Sequence, residues 1–145
     1  MTSIHRGAGL LFALATAFAL VPAGAAQASA ADPAATWTLN PGNQRICVTP
    51  EHGWPQTYFL ASVTGSTAEV IETRIQKLPP GSSSQGGRIY PDELNRTGAF
   101  VGFVHVSIAP TPVGEYAAEL RASDGTATQT APVTISVKDD CLHGT

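Results

Sequence analysis

The stretch that decides the fold is YAAELRASDGTATQTAPVTISV, residues 116–137. On both sides of its centre, apolar and polar residues alternate with a period of two, which is typical of a half-buried β-strand. Between the two halves lies Ser123-Asp124-Gly125-Thr126, and Gly125 can adopt the positive φ that tight turns require. The stretch therefore predicts a β-hairpin. Its apolar residues are Tyr116, Ala118, Leu120 and Ala122 in the first half and Val133, Ile135 and Val137 in the second.

Other short runs with strand character precede the hairpin. Residues 100–108 are apolar on both alternating faces, and we interpret them as a central strand. Further strands are predicted at residues 57–63, 44–49 and 36–39. Helical signals are sparse throughout this region, so the chain is predicted to be all-β.

One segment fits two structures. Residues 69–78 space Ile71, Ile75 and Leu78 as on a helix face, but Ile71, Thr73 and Ile75 also alternate as in a strand. The β-branched content favours the strand. The Ser- and Gly-rich residues 82–87 that follow are predicted to form a long, mobile loop.

The first 28 residues have the layout of a secretory signal peptide. A positive charge at Arg6 precedes an apolar run over residues 10–21 and small residues up to Ala28. Cleavage there leaves one domain, residues 29–145. The uncharged residues 7–31 are also nominally long enough for a retained membrane anchor, although Pro22 and Gly24 interrupt them.

Composition restricts the function classes. The formal net charge is −3, and removal of the leader with Arg6 makes it −4, so neither a nucleic-acid-binding face nor a polybasic membrane patch is expected. Hydrophobic residues make up 43% of the chain, which is enough for a packed core. We expect a secreted, extracellular monomer that does not contact the membrane after cleavage.

Two cysteines in an exported chain predict one disulfide. Cys47 and Cys141 are the only cysteines, and an oxidising compartment makes their pairing the default. Redox or metal chemistry would favour closer spacing.

Several motifs of the C-terminal half carry a family resemblance. They are Leu78-Pro79-Pro80-Gly81, Pro112-Val113-Gly114-Glu115-Tyr116, the 120–125 turn region and Pro132-Val133-Thr134-Ile135-Ser136-Val137. With them, residues 69–138 resemble bacterial immunoglobulin-like domains. The resemblance implies an antiparallel β-sandwich of about seven strands, in which Gly114 and Tyr116 form a tyrosine corner. Ala118 stands where immunoglobulins have a core cysteine, so the inter-sheet disulfide of that family is absent. The chain is also similar to small secreted actinobacterial proteins of unknown function.

No catalytic or metal-binding motif is present. The nearest approach to a nucleophile elbow, residues 81–86, lacks a strand-turn-helix context. No two histidines have zinc-motif spacing. His105 is interpreted as a structural or surface histidine, and the acid pairs Asp92-Glu93 and Asp139-Asp140 as exposed strand ends. We therefore expect no enzyme, no cofactor and no metal.

The aromatic residues are the best binding candidates. Trp54 lies in a Gly/Pro loop beside His52, Tyr58 follows on the next strand, and Tyr90 precedes Pro91. Exposed aromatic side chains stack on sugars or anchor protein interfaces. Trp54 can equally fold back and cap one end of the sandwich, whereas Trp37 and Tyr116 are assigned to the core or its rim.

Three functions fit these observations. The first is a non-catalytic extracellular domain that binds a protein or cell-surface partner through its loops. The second is a carbohydrate-binding module that uses Trp54 and Tyr58 to bind a polysaccharide. The third is a secreted peptidase inhibitor with an exposed loop over residues 77–84, although a second disulfide to hold that loop is missing.

Overall fold

The computed structural model describes residues 35–142 and shows eight strands and one short helix in that range. The predicted signal peptide, residues 1–28, lies outside the described residues. In chain order the elements are β1 (Trp37–Leu39), β2 (Gln44–Val48), β3 (Trp54–Gly65), β4 (Ile71–Gln76), β5 (Ser83–Ile89), α1 (Pro91–Thr97), β6 (Ala99–Ile108), β7 (Gly114–Ser123) and β8 (Thr128–Val137).

The strands form two packed layers that β5 joins. They hydrogen-bond in the order β1-β3-β6-β5-β4-β7-β8-β2. The first part of β5 pairs with β6, and residues 87–89 pair with β4. The first layer is thus β1-β3-β6-β5 and the second is β4-β7-β8-β2. Of the strand pairs between residues 37 and 137, β2 with β8 is the parallel one.

This topology is that of the immunoglobulin sandwich. In that fold the strands A, B, E and D form one sheet and C, F and G the other. Here β1, β3, β6 and β5 take the first set of places and β4, β7 and β8 the second, while β2 adds an edge strand beside β8. The predicted all-β, immunoglobulin-like antiparallel β-sandwich is therefore confirmed, with eight strands in the described range where about seven were predicted.

The hairpin and the ambiguous segment fold as strands. β7 and β8 pair in register from Gly114 opposite Val137 to Ser123 opposite Thr128, and Gly125 in their turn has a φ of 90°. Residues 71–76 form β4 with alternating burial, so the strand interpretation of residues 69–78 is confirmed.

The predicted mobile loop over residues 82–87 is wrong, because most of it belongs to β5. Small side chains allow this strand to lie close to its neighbours: a Cβ on Gly87 would stand 2.1 Å from the carbonyl oxygen of Phe103. The hydroxyl of Ser84 accepts a hydrogen bond from the backbone of Ile75 at 3.0 Å. Since the strand contributes backbone more than apolar side chains, its sequence lacks the usual alternation.

The interpretation of Asp92-Glu93 as a strand end is also wrong, because both residues lie in the first turn of α1. The Glu93 carboxylate accepts a hydrogen bond from the backbone of Tyr90 at 3.0 Å, and Gly98 ends the helix with a φ of 70°. Leu94 is the buried residue of this helix. Asn95 secures α1 to the β3–β4 loop, since its side chain bonds both backbone groups of Thr67 at 2.9 and 2.7 Å.

The core lies between the layers, and Gln129 links them. This buried β8 side chain accepts a hydrogen bond from the Leu39 backbone at 2.9 Å and donates one to the Trp37 carbonyl at 2.7 Å. The backbone N–H of Leu39 and the carbonyl of Trp37 thereby have hydrogen-bond partners, as buried polar groups require. The largest fully buried apolar side chains are those of Trp37, Phe59, Ile71, Ile89, Leu94, Ile108, Leu120 and Ile135.

The predicted disulfide is present. Cys47 on β2 is bonded to Cys141, with the two Cα atoms 5.6 Å apart and 94 positions apart in sequence. The bond fastens the segment after β8 to the edge strand β2. Within residues 35–142, no helix is long and apolar enough to cross a membrane.

Candidate binding surface

The four predicted binding residues lie at three separate places. His52 lies in the β2–β3 turn, and Trp54 begins β3, at the end of the sandwich where β6 also ends. Tyr58 lies on the outer face of the first layer. Tyr90 lies at the opposite end, between β5 and α1. The structure therefore does not assemble these residues into one site.

A β-bulge separates Trp54 from Tyr58. The register of β3 against β6 pairs Trp54 with Ile108 but Thr57 with Val106, so β3 contains one extra residue between them. Residues directly opposite in an antiparallel pair share a face, and Ile108 is buried in the core. Trp54 therefore lies on the core-facing side of the sheet, and Tyr58 on the outer side.

Trp54 begins a strand, so its predicted place in a loop is wrong. Its side chain is 44% exposed at the end of the sandwich. The turn before it is closely packed: a Cβ on Gly53 would stand 2.3 Å from the carbonyl oxygen of Ile108, and Gly53 itself has a φ of 61°. His52 is exposed in this turn.

Tyr58 belongs to a cluster of rings on the outer face. It stands directly opposite His105 on β6 and contacts Phe103 edge to face, with ring centroids 4.9 Å apart and an interplanar angle of 83°. Phe103 and His105 are stacked at 6.5 Å. Tyr58 is 49% exposed and Phe103 is 52% exposed. Their outer surfaces are thus available to a ligand.

Two aliphatic side chains extend this cluster along the same face. Leu60 is opposite Phe103, and Val101 is opposite Ser62, two positions further along the strands. Both are exposed. We call the surface formed by Tyr58, Leu60, Val101, Phe103 and His105 the aromatic patch.

The edge of β3 beside the patch is held by Gln44. Its side chain accepts a hydrogen bond from the Leu60 backbone N–H at 2.8 Å and donates one to the Leu60 carbonyl at 2.7 Å. Because β1 pairs only with residues 63–65 of β3, Gln44 satisfies backbone groups of Leu60 beyond the end of that pairing. The patch therefore lies on a sheet whose edge is closed at this point.

A groove of about 490 Å³ adjoins the patch at Tyr58 and His105. It extends under the bulge of β3 and reaches Gln85 on β5, and it is lined mainly by apolar surface. Its residues are Pro55, Gln56, Thr57, Tyr58, Gln85, His105 and Val106. A side chain inserted from a ligand on the patch can enter this groove.

Sequence reasoning missed Phe103, Leu60 and Val101 as binding residues. Residues 100–108 are apolar on both faces, a pattern that usually indicates burial on both sides. β6 is central within its sheet, as predicted, but its outer face is uncovered in the described chain.

This surface offers mainly apolar side chains, together with one imidazole, that of His105. No group of three or more potential metal-ligating side chains occurs within residues 35–142. Tyr58 and Phe103 offer their rings, Tyr58 also offers its hydroxyl, and His105 contacts both rings. Such a surface can bind a ligand by burying apolar area.

The residues proposed for other roles are also placed. The Tyr116 hydroxyl donates a hydrogen bond to the Pro112 carbonyl at 2.9 Å, four residues upstream, which is the bond of a tyrosine corner. Gly114, which begins β7, packs against the Tyr116 ring.

In the segment predicted as an inhibitory loop, Pro79 is buried and its carbonyl accepts a hydrogen bond from the backbone of Ser82. Residues 77–82 form the turn between β4 and β5, in which Lys77, Pro80 and Gly81 are exposed, while residues 83 and 84 of the predicted loop belong to β5.

Comparisons with known proteins place the chain in a family. No curated protein matches it. Among solved structures, it is similar to the ASH/PapD-like domain of human CEP192 (PapD-like domain 7), at 8% identity and a TM-score of 0.42, covering 88% of this chain and 98% of that one. It is also similar to the VesB protease of Vibrio cholerae, at 12% identity and a TM-score of 0.33, covering 70% of this chain and 32% of that one. A family model matches residues 38–139, well over half of the sequence, and the chain therefore belongs to a family of unknown function, DUF5980.

Proposed function

We propose that this chain is a secreted, non-catalytic binding domain that docks a protein partner on the aromatic patch. The fold supplies a rigid sheet, and the patch supplies exposed apolar area on it. The N-terminal leader pattern and the Cys47–Cys141 disulfide support an extracellular location. The absence of catalytic motifs from the sequence supports a role in binding.

The observation that carries the proposal is the composition of the outer face of the first layer. The exposed face of an antiparallel sheet ordinarily carries polar residues. Here two neighbouring strands present a tyrosine, a leucine, a valine and a phenylalanine to solvent at adjoining positions. Contiguous exposed apolar surface of this kind marks interaction sites in soluble proteins.

The arrangement of the side chains favours a protein over a polysaccharide. Sugar platforms need flat aromatic faces, but Tyr58 and Phe103 meet edge to face, and Trp54 lies on the other side of the sheet. The neighbouring Leu60 and Val101 add aliphatic area, which suits the apolar centre of a protein interface. The partner is thus expected to present an apolar side chain or short apolar segment.

The proposal is tested with three forms of the exported protein. Tyr58→Ser/Phe103→Ser removes the two carbocyclic rings of the patch without touching the core, since both side chains point outward. Trp54→Ala is the matched control, because it removes an equally exposed aromatic side chain on the other face. Each form is immobilised and exposed to concentrated culture medium of the organism that encodes it, and retained proteins are identified and purified for affinity measurement.

The proposal predicts a protein whose affinity falls at least tenfold with the double substitution and changes little with Trp54→Ala. Equal affinity for all three forms would contradict it. Retention on insoluble polysaccharide that depends on Tyr58 would replace the protein partner with a sugar. A wild-type chain that dimerises in solution, with dimerisation lost in the double variant, would make a second copy the partner and overturn the predicted monomer.

A further inference from the structure

The second layer carries a groove with an excess of positive charge. Its volume is about 510 Å³, and it lies where β4, β5 and β7 meet. Three arginines and one glutamate line it, although the whole chain is acidic, with a formal net charge of −3. The lining residues are Glu72, Thr73, Arg74, Ser84, Gln85, Gly86, Gly87, Arg88 and Arg121.

Two of the arginines face each other directly. The register of β4 against β7 pairs Arg74 with Arg121 on the outer face. Like charges at directly opposite positions destabilise an antiparallel pair. Folding alone therefore gives no reason for this pairing.

The carboxylates of the same face pair with cations other than these two arginines. Glu72 lies 3.6 Å from Arg88, and Glu119 lies 3.2 Å from Lys77. Arg121 donates a hydrogen bond to the hydroxyl of Thr128 at 3.0 Å and forms no ion pair with a described residue. Arg74 has no ion-pair partner among the described residues.

The path of β5 creates the space beside these arginines. In chain order, β5 pairs with β6 up to Gly86, where its register is irregular, and from Gly87, opposite Thr73, it pairs with β4. A Cβ on Gly86 would stand 2.6 Å from the Thr73 carbonyl oxygen, so the crossing depends on glycine. After Thr73, β4 is no longer paired with β5. The cleft that opens there is lined by Arg74 and Arg121.

We propose that this groove binds an oxyanion, a carboxylate or phosphate group, between Arg74 and Arg121. A guanidinium presents planar donors that match both groups, often in pairs. An anion bound there removes the repulsion between the two arginines. The site lies on the second layer and does not depend on the aromatic patch.

The test is a titration of the full exported chain with inorganic phosphate. Sodium chloride is exchanged for phosphate at constant ionic strength, and the backbone amides of Gly86 and Gly87 and the arginine side-chain NH signals are followed by NMR. The variants are Arg74→Gln, Arg121→Gln and, as a control with the same charge change, Arg96→Gln on α1. We expect saturable shifts for the wild type and Arg96→Gln, and at least tenfold weaker binding for the other two.

Stability supplies a second readout. In chloride, Arg74→Gln is expected to unfold at the same or a higher temperature than the wild type, because it removes a repulsion. Phosphate should raise the unfolding temperature of the wild type more than that of Arg74→Gln. If Arg121→Gln fails to fold, because it also loses its bond to Thr128, Arg74→Gln alone decides the question.

Titrations with anionic polymers distinguish a phosphate ligand from a carboxylate ligand. Polyphosphate and polygalacturonate are titrated against the same forms, and a preference for one that disappears in Arg74→Gln supports the site and assigns the group. Equal phosphate affinity in all four forms, shifts that never saturate, or a lower unfolding temperature of Arg74→Gln in chloride would each overturn the proposal. None of these results depends on the partner of the aromatic patch.

Discussion

At the residue scale, Asp124 connects the hairpin turn to the first layer. One carboxylate oxygen accepts a hydrogen bond from the Trp37 indole at 2.7 Å, and the other accepts bonds from the backbone of Thr126 and Ala127 at 2.8 and 2.7 Å. Partial burial raises the pKa of Asp124, but the hydrogen bonds from Ala127, Trp37 and Thr126 outweigh it and hold the pKa below its ordinary value of 3.8. A carboxylate that is a better acid in the folded state stabilises the fold while it is ionised.

The pH dependence of stability follows from that direction. Stabilisation by Asp124 is fully present above its unfolded pKa, about 3.8, and is lost as the pH falls through the lower folded pKa. Asp124→Asn should therefore be less stable than the wild type at pH 6, and the difference should shrink below about pH 4. Urea unfolding of both forms across this range measures it. A difference that stays constant down to pH 2.5 would contradict the assignment.

The residues that sequence reasoning misplaced depend on features that are not local to their own strand. Trp54 and Tyr58 are four apart in sequence, and only the bulge between them places their side chains on opposite faces. A bulge depends on the partner strand and has no signal in the single strand. Phe103 was missed because an apolar residue in a central strand is usually covered, and nothing local to the sequence shows that this face is open.

At the element scale, the strands differ in how clearly the sequence indicates them. β7 and β8 alternate strictly and have a glycine in their turn, so the hairpin could be predicted. β5 could not, because Ser83-Ser84-Gln85-Gly86-Gly87 has the composition of a loop, and its strand conformation depends on two neighbours. α1 has one buried apolar residue and so no helical periodicity. Its signals were Pro91 at the first turn, Glu93 at the third position and Gly98 after the end.

Gly87 tests the close approach of β5 to β6. A Cβ there would stand 2.1 Å from the Phe103 carbonyl oxygen, so Gly87→Ala must push the two strands apart. We expect a loss of about 1–3 kcal/mol in the free energy of unfolding, as for other overpacked positions. Gly114→Ala is the control, because its Cβ would meet only the Tyr116 ring, at an ordinary 3.6 Å. Equal stability of the two variants in urea unfolding would show that β5 has no such contact.

At the scale of the whole molecule, two links join the layers and a third fastens the edge of the second layer. β5 passes between the layers on one side, and Gln129 bonds β1 to β8 through the core. The disulfide fastens the chain after β8 to β2. The disulfide and the fold class could be predicted from the sequence, since the two cysteines, the leader pattern and the alternation are all visible in it. The buried glutamine could not, because its partners are 90 or more positions away.

Removal of the disulfide should lower stability without changing the fold. Because it closes a loop of 94 positions, the chain-entropy model gives roughly 4–5 kcal/mol, and measured losses for native disulfides are about 2–5 kcal/mol. Cys47→Ser/Cys141→Ser should therefore unfold at lower denaturant concentration than the wild type, and the wild type in reductant should match it. Unchanged stability on reduction would mean that the bond constrains nothing in the unfolded chain.

The central claim is that the outer face of the first layer is the binding surface, rather than either loop end of the sandwich. The most direct measurement compares NMR spectra of the chain with and without a protein captured by it. The account predicts the largest shifts at the Leu60 and Val101 methyl groups and the Phe103 ring. Shifts concentrated in the turns around His52 and Pro110, or in α1 after Tyr90, with the patch unchanged, would contradict it.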